Sequence, residues 1–531
     1  MGQVNYLKVG KATDLSGKDY KFYRFLETLP GFISITTLVV LTVFSYFKPV
    51  WVAYFVIAFD VYWLLLVIYM ALFLVSSYRK LTKGLAIDWQ GKCQRLKEGN
   101  SEEMNLKEVS PDSLAAQGVH WDSLWQLIIL PTYGEGIEIV RGALESLVND
   151  GYPTERMIVN LAMEERAGQS AKEIAAIAQE EFGDKFGHFL ITWHPDNIEG
   201  EIKGKGANQA WAVKIVNREI IEKENLDIKK ILVSVFDIDT VVHPGYFFAL
   251  TYKFLTVSEP YRASYQPIPV YHNNIWETPF FSRLTASSNT FWQMIMQIRQ
   301  ESLVTYSSHS MTFAALKEIG YWSPAMVSED SRIFWDCLLY YNGDYRVEPL
   351  YYKVSMDVTF DQNFWRTAQS LYKQQRRWAW GAENIPYLIF NTAKRWHTVD
   401  RRKLIGHIII QIHGFWSWAT NALIIAVIGW MPMLIGGDRF NSTVLSGNLP
   451  TITQNLMTVA MIGLVFSAII TSLLLPKRPK KYTVWKNVKM VLEWIFVPIT
   501  IIVFGAIPCF DAQIRLMRGK YMGFWVTPKS R

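Results

Sequence analysis

Five apolar stretches bracket one long polar middle, and that layout limits what this chain can become. Gly31 to Phe47 and Val50 to Val75 are split only by Lys48-Pro49. A helix needs about 20 apolar residues to cross the hydrocarbon of a bilayer. The second run exceeds that length and the first sits at its short end, so the pair predicts a helical hairpin. Lys8, Lys11, Lys18, Lys21 and Arg24 precede it, and Arg79, Lys80 and Lys83 follow it. Basic flanks on both sides put both ends on the cytoplasmic face. Leu404 to Ile435 is longer than one crossing requires, Leu456 to Pro476 is a clear span, and Val488 to Pro508 is a further one. Asp60 interrupts the second run, which calls for a helix-packing partner or a wet cavity at that depth.

Charge and cysteine content narrow the class further. A net charge of +7 would suit a nucleic-acid partner. The basic residues, however, cluster beside apolar runs, as in Lys477-Arg478-Pro479-Lys480-Lys481, which fits membrane lipids instead. No nucleic acid is expected. Cys93, Cys337 and Cys509 lie far apart and are odd in number, so neither a disulfide framework nor a metal spacing follows. No cleavable signal peptide is expected at the start.

From Gln126 to about Val354 short apolar runs alternate with helical patterns. Gln126 to Leu130, Met157 to Met163, Phe189 to Trp193 and Lys230 to Phe236 read as strands; Ile137 to Val148 and Gly206 to Glu222 read as helices. Such alternation predicts an α/β domain with a mostly parallel sheet. Ligands of such sheets gather at the carboxyl ends of strands. Pro131-Thr132-Tyr133-Gly134-Glu135 and Asp237-Ile238-Asp239 both fall at such ends.

Several short strings carry chemistry. In extended backbone Asp237 and Asp239 would point the same way and share a hard divalent ion, Mg²⁺ or Mn²⁺. Alone, the pair reads equally well as loop-capping aspartates. His243 follows four residues later, as an added ligand or a solvent-facing side chain. Ser328-Glu329-Asp330 precedes a helical pattern, so it is either an N-terminal cap or the seat of a general base. Gln374, Arg377 and Trp378 put a planar cation and an aromatic ring within one helical turn, suited to a phosphate and a sugar face. Lys203-Gly204-Lys205-Gly206-Ala207-Asn208 resembles a phosphate-binding turn without being a Walker loop.

Taken in order, these strings resemble the inverting family 2 glycosyltransferases, in particular the membrane-integrated branch that includes cellulose, chitin and hyaluronan synthases. Pro131 to Glu135 is similar to the opening Pro-Thr-Tyr-Asn-Glu of that family, which implies nucleotide contacts for Thr132, Tyr133 and Glu135. Lys205 to Asn208 resembles its Lys-Ala-Gly-Asn element. Asp237 and Asp239 match its metal-binding Asp-x-Asp. Asp330 matches the base of its Thr-Glu-Asp, and Gln374, Arg377 and Trp378 match Gln-x-x-Arg-Trp, associated with acceptor and diphosphate binding in processive enzymes. Tyr306 to Ser310 falls where the synthases contact the acceptor, with a poor match. Phe524 to Lys529 is similar to the gating loop of cellulose synthases, which implies that Thr527 and Lys529 reach the nucleotide. Glu164-Glu165 stands where the family carries two aspartates, so Glu164 is the expected nucleotide contact in an altered pocket.

The resemblance implies an α/β glycosyltransferase-A type domain combined with a helical membrane region. The expected divisions are a cytoplasmic arm at 1–30, a transmembrane hairpin at 31–76, a linker at 77–125 and the catalytic domain at 126–355. The Gln-x-x-Arg-Trp segment and interface helices follow at 356–403, transmembrane helices at 404–509, and an interface helix with a gating-like tail at 510–531. The implied activity is processive, metal-dependent transfer of a hexose from a nucleotide-diphosphate sugar, UDP-linked by preference, to a growing glycan. The implied setting is the cytoplasmic face of the plasma membrane. Single addition to a lipid or short acceptor is the alternative, and a non-catalytic scaffold a third reading. A cytoplasmic tail conflicts with a simple crossing by Val488 to Pro508. That segment is therefore expected to be re-entrant or interfacial, or else Leu404 to Ile435 hides an extra pass.

Overall fold

The computed structural model describes residues 5–99 and 109–527. Its centre is an eight-stranded sheet: β1 Trp125–Pro131, β2 Met157–Glu164, β3 His188–His194, β4 Ile231–Val235, β5 Val241–Val242, β6 Ala263–Val270, β7 Ser310–Thr312 and β8 Arg346–Ser355. The strand order is β3-β2-β1-β4-β7-β6-β8-β5. Pairings β1–β2, β1–β4, β2–β3 and β6–β8 are parallel. β7 runs antiparallel to both β4 and β6, and β5 antiparallel to β8. The mostly parallel α/β sheet expected from the alternation is therefore present.

Both faces of β1, β2, β4 and β6 are buried, which is why β1, β2 and β4 read as continuous apolar runs, whereas β3 and β8 are partly half-buried. Successive side chains of a strand point to opposite faces. Leu127, Ile129, Val233 and Val235 enter one core, against Val213 of the helix Lys205–Val216. Ile128, Leu130 and Leu232 enter the other, against Val140 and Leu144 of the helix Ile137–Val148. Because β1, β2, β3, β4 and β6 share one direction, their carboxyl ends form a single edge. The loops after them, together with the approach to antiparallel β7, converge there.

Among the described residues five helices are long and apolar enough to cross a membrane: Gly17–Phe47, Pro49–Ala86, Arg401–Ala426, Val444–Leu474 and Val484–Met517. The first begins fourteen residues before the apolar run at Gly31 does. Its polar first half is helical because it lies on protein: Tyr23 and Leu26 are buried there, and Tyr23 meets Phe390 of the helix Asn384–Lys394. Asp60 accepts a hydrogen bond from Thr453 at 2.8 Å, a packing contact between two spans. Trp416 likewise donates to Thr37 at 3.1 Å. The stretch from Leu404 holds one long helix, followed by short turns at Ile428–Trp430, Met431–Ile435 and Gly437–Asn441. It makes no second pass. All three cysteines are buried and free.

The last of the five helices differs from the others. It is broken into Val484–Leu492, a 3₁₀ turn at Glu493–Phe496, Val497–Ile501, a π turn at Ile502–Ala506 and Ile507–Met517. Pro498 and Pro508 lack the N–H that a regular helix interior needs. Throughout its length the segment is tied to the sheet domain. Glu493 forms a buried two-pronged pair with Arg283 at 2.6–3.0 Å. Phe496 meets Phe280 and Phe504 stacks on Phe281, both on the helix Phe280–Ile298. Asp511 accepts from Arg376 at 2.8 Å. The outer face, with Trp485, Leu492, Ile495 and Ile499, is exposed and apolar. The segment is thus amphipathic and anchored at both ends to protein.

That arrangement predicts labelling topology. Single cysteines at Lys520 and Lys172 should react with an impermeant maleimide from the same side of sealed vesicles, and one at Asp438 from the opposite side. Labelling of Lys520→Cys together with Asp438→Cys would contradict it.

Candidate functional site

At the carboxyl edge one lysine organises the polar groups. The helix Lys205–Val216 starts at Lys205. Its Nζ lies 2.7 Å from Asp237 Oδ1, and 2.9 and 2.8 Å from the two oxygens of Asp330. The Lys205 side chain is 10% exposed, against 25% and 23% for Asp237 and Asp330. Burial alone would lower the lysine, but the neighbouring carboxylates, Asp237 first and Asp330 next, outweigh it and hold the ammonium well above its ordinary value. Three elements distant in sequence thus meet at one cation.

Each acid owes its position to local structure. β4 ends at Val235, and the chain turns, with Thr240 N donating to Asp237 O at 2.8 Å. Asp237 and Asp239 therefore sit in a turn, not in the extended backbone expected from their spacing. Asp237 Oδ2 accepts from Ser307 at 2.9 Å. Asp239 is buried, and its Oδ2 accepts from the backbone N–H of Asp357 at 3.1 Å. His243 packs edge-on to Tyr352, with Nδ1 3.3 Å from the Pro244 carbonyl. Asp330 stands in the first turn of the helix Glu329–Tyr340. Beside it Glu329 is fully buried, and burial together with the charge of Asp330 pushes its carboxyl up to about 8.

Thr132, Tyr133, Glu135 and Glu164, the expected nucleotide contacts, form a second group. Thr132 extends β1, its N–H donating to Ala162 O at 2.8 Å. Glu135 closes the following turn, accepting from the N–H groups of Tyr133 and Gly134 at 2.8 and 3.0 Å. Glu164 ends β2, buried, and pairs with Arg166 Nε at 2.5 Å. The Arg166 guanidinium lies 4.3 Å over the Tyr133 ring. A cavity of about 230 Å³ opens beside this pair, lined by Glu164, Arg166, His194, Asp196, Glu201 and Lys203.

The third group comes from the helix Phe364–Ala379 and the tail. Gln374, Arg377 and Trp378 share one face at helical spacing. Gln374 Oε1 accepts from Thr359 at 2.7 Å, Arg377 lies 4.6 Å over Phe524, and Trp378 is 6.4 Å from Tyr271. Phe524 presses on Gly204, where a Cβ would stand 2.5 Å from its ring, so no other residue fits there. Thr527 is buried, and its hydroxyl has no hydrogen-bond partner. Lys529 lies outside the described residues.

Two side chains at this edge, Tyr271 and Arg166, escaped the sequence reading, and two more, Ser307 and His309, were read only within the poorly matching Tyr306 to Ser310. Ser307 bonds Asp237. His309 is fully buried, with Nδ1 4.0 Å from Asp330 Oδ1. Tyr271 is pushed up first by burial and then by the charges of Asp237 and Asp239. Arg166 holds Glu164. Arg166 follows the carboxyl end of β2, a strand the sequence did mark, so the strand-end rule could have found it; Tyr271 follows β6, which the pattern did not mark.

Residues 232–475 match the family model described as Glycosyl transferase family group 2. This segment matches a family 2 glycosyltransferase domain. The match begins inside β4, just before Asp237, and includes Asp330 and Gln374 to Trp378. No curated protein sequence matches the chain. Among solved structures, the chain is similar to the mannosyltransferase PcManGT from Pyrobaculum calidifontis, in complex with GDP-Man and Mn²⁺. Identity is 12% over 75% of this chain and 98% of that one, with a TM-score of 0.40. S. aureus TarS gives 10% identity over 66% of this chain and 55% of that one, with a TM-score of 0.29. TarS 1-349 in complex with UDP-GlcNAc gives 11% over 66% and 91%, with a TM-score of 0.30.

The sheet domain should show one pH signature. Folded Glu329 keeps its proton up to about pH 8. The unfolded chain releases that proton near its ordinary value of about 4. The folded form therefore binds the extra proton between those limits, and its stabilising effect is lost as pH rises through about 8. Glu329's contribution to the melting temperature should fall between about pH 5 and 8 and level off above, and Glu329→Gln should flatten the fall. An equal fall in the variant would contradict the assignment.

Proposed function

We propose that the chain transfers a sugar, with inversion, from a nucleotide-diphosphate donor to a hydroxyl acceptor at the cytoplasmic face of the plasma membrane. The observation that carries this reading is Lys205 joining Asp237 to Asp330. It puts the diphosphate side of the reaction within one ammonium of the base. Asp330 takes the acceptor proton while the acceptor oxygen bonds the anomeric carbon from the face opposite the departing group. The bond from that carbon to the diphosphate oxygen breaks, and its electron pair leaves with the diphosphate. Lys205 is placed to receive that developing charge. Arg377 and Trp378 flank the same edge as the acceptor and diphosphate contacts, and Thr527 offers its unpartnered hydroxyl from the tail.

Asp237 and Asp239 fit a hard divalent ion. Among the described residues no three His, Cys, Asp or Glu groups cluster. When bound, Mg²⁺ or Mn²⁺ would neutralise diphosphate charge at these two carboxylates.

Glu164 and Arg166 support a particular donor base. The carboxylate accepts, while the buried Arg166 Nη2 has no partner and needs an acceptor. Acceptor beside donor complements the N–H/C=O edge that uracil and guanine share. Adenine and cytosine present the reversed order. UDP or GDP should therefore bind at least about tenfold more tightly than ADP or CDP, the equivalent of one good hydrogen bond.

The resemblance to the polysaccharide synthases favours processive extension with hexose donors. Direct side-chain bonds between spans, Asp60–Thr453 and Trp416–Thr37, favour the second reading, single addition to a lipid or short acceptor. One experiment tests both. Purified protein with a panel of nucleotide sugars should release UDP or GDP with Mg²⁺ or Mn²⁺ and stop with EDTA. A product ladder supports extension and a single product supports one addition. Absence of any release across the panel would overturn the transferase reading.

A further inference from the structure

The helix Gly17–Phe47 carries a buried carboxylate that the reaction does not use. Glu27 is 1% exposed, in the half of that helix that lies on protein. Its Oε1 accepts from Ala12 N at 2.9 Å, in the N-terminal arm. Its Oε2 accepts from Arg24 at 2.8 Å. Tyr521 donates across both oxygens, at 3.0 and 2.9 Å. Arg24 also donates to Leu516 O at 3.0 Å and to Met517 O, capping the last turn of the helix Ile507–Met517. One buried acid therefore joins the arm, the first membrane helix and the start of the C-terminal tail.

The tail beyond Tyr521 leads straight to the candidate donor site. Three residues on, Phe524 packs against Gly204, the residue before Lys205, and beneath the Arg377 guanidinium. Next, Trp525 lies 5.3 Å from Lys373 Nζ. Thr527 then buries its hydroxyl without a partner. A seven-residue segment without regular secondary structure has little to fix it except such end anchors. Tyr521 supplies the upstream anchor, and Phe524 sits on the loop that presents Lys205.

We propose that Glu27 is a positioning residue: through Tyr521 it holds the tail over the donor site, so the first membrane helix and the tail move as one body. The reading of that site as a donor site is the one given above, and the test separates the two. Tyr521→Phe removes one hydroxyl and leaves the ring; Glu27→Ala removes the acceptor. In each variant, hydrogen exchange at residues 521–527 should accelerate while exchange in β1 to β4 stays unchanged. The dissociation constant for UDP or GDP, whichever the wild type binds, should rise about tenfold, as for one lost hydrogen bond to a charged group. The double variant should be no weaker than the worse single one, because both remove the same contact. Glu27→Asp should recover part of the loss. Unchanged tail exchange in Tyr521→Phe, or additive losses in the double variant, would overturn the proposal. If the wild type binds neither nucleotide, the donor reading fails and the exchange measurement still decides the anchoring.

Discussion

The contact of Lys205 with Asp237 and Asp330 is the interaction on which the rest of the site depends. An ammonium this buried is stable only where carboxylates surround it. It fixes the start of the helix Lys205–Val216, the turn after β4 and the helix Glu329–Tyr340 relative to one another. Gly206 lies against Glu329, where a Cβ would come 3.2 Å from the glutamate Cβ. The helix start can approach that closely because its second residue has no side chain. Glu329, neutral at the same spot, spares the cluster a further negative charge.

The membrane region extends this order outward. The segment Val484–Met517 has the composition of a span, yet the Arg283–Glu493 and Arg376–Asp511 pairs bind it along the sheet domain and the helix Phe364–Ala379. Its breaks at Pro498 and Pro508 let it follow that surface. Consequently the tail emerges beside the carboxyl edge of the sheet, where Phe524 meets Gly204 and Arg377. Fold, membrane attachment and tail placement thus follow from a few buried polar pairs set among apolar contacts.

The long, strongly patterned elements were legible in the sequence. β1, β2 and β4 announce themselves as short apolar runs because both their faces are covered. Other elements were hidden for identifiable reasons. β7 has three residues and β5 two, too short for any period to show. The first helix starts at Gly17 because tertiary burial stabilises a polar half that hydropathy discounts. In the site, the spacing of Asp237 and Asp239 suggested extended backbone where a turn occurs. Lys205 and Asp330 are 125 residues apart, and no local pattern links them. Arg166 was missed, and Ser307 and His309 were read only as a poor acceptor-segment match, for the same reason: their partners are brought close only by the fold.

The central claim is that Asp330 is the base of a site whose donor half stands without it. The most direct measurement compares Asp330→Asn with the wild type for both donor binding and sugar transfer in the same preparation. The account predicts a nucleotide dissociation constant within a fewfold of wild type and a transfer rate reduced by about 10²–10⁴-fold, the usual contribution of a general base. Transfer at a near wild-type rate would contradict it and place the base elsewhere.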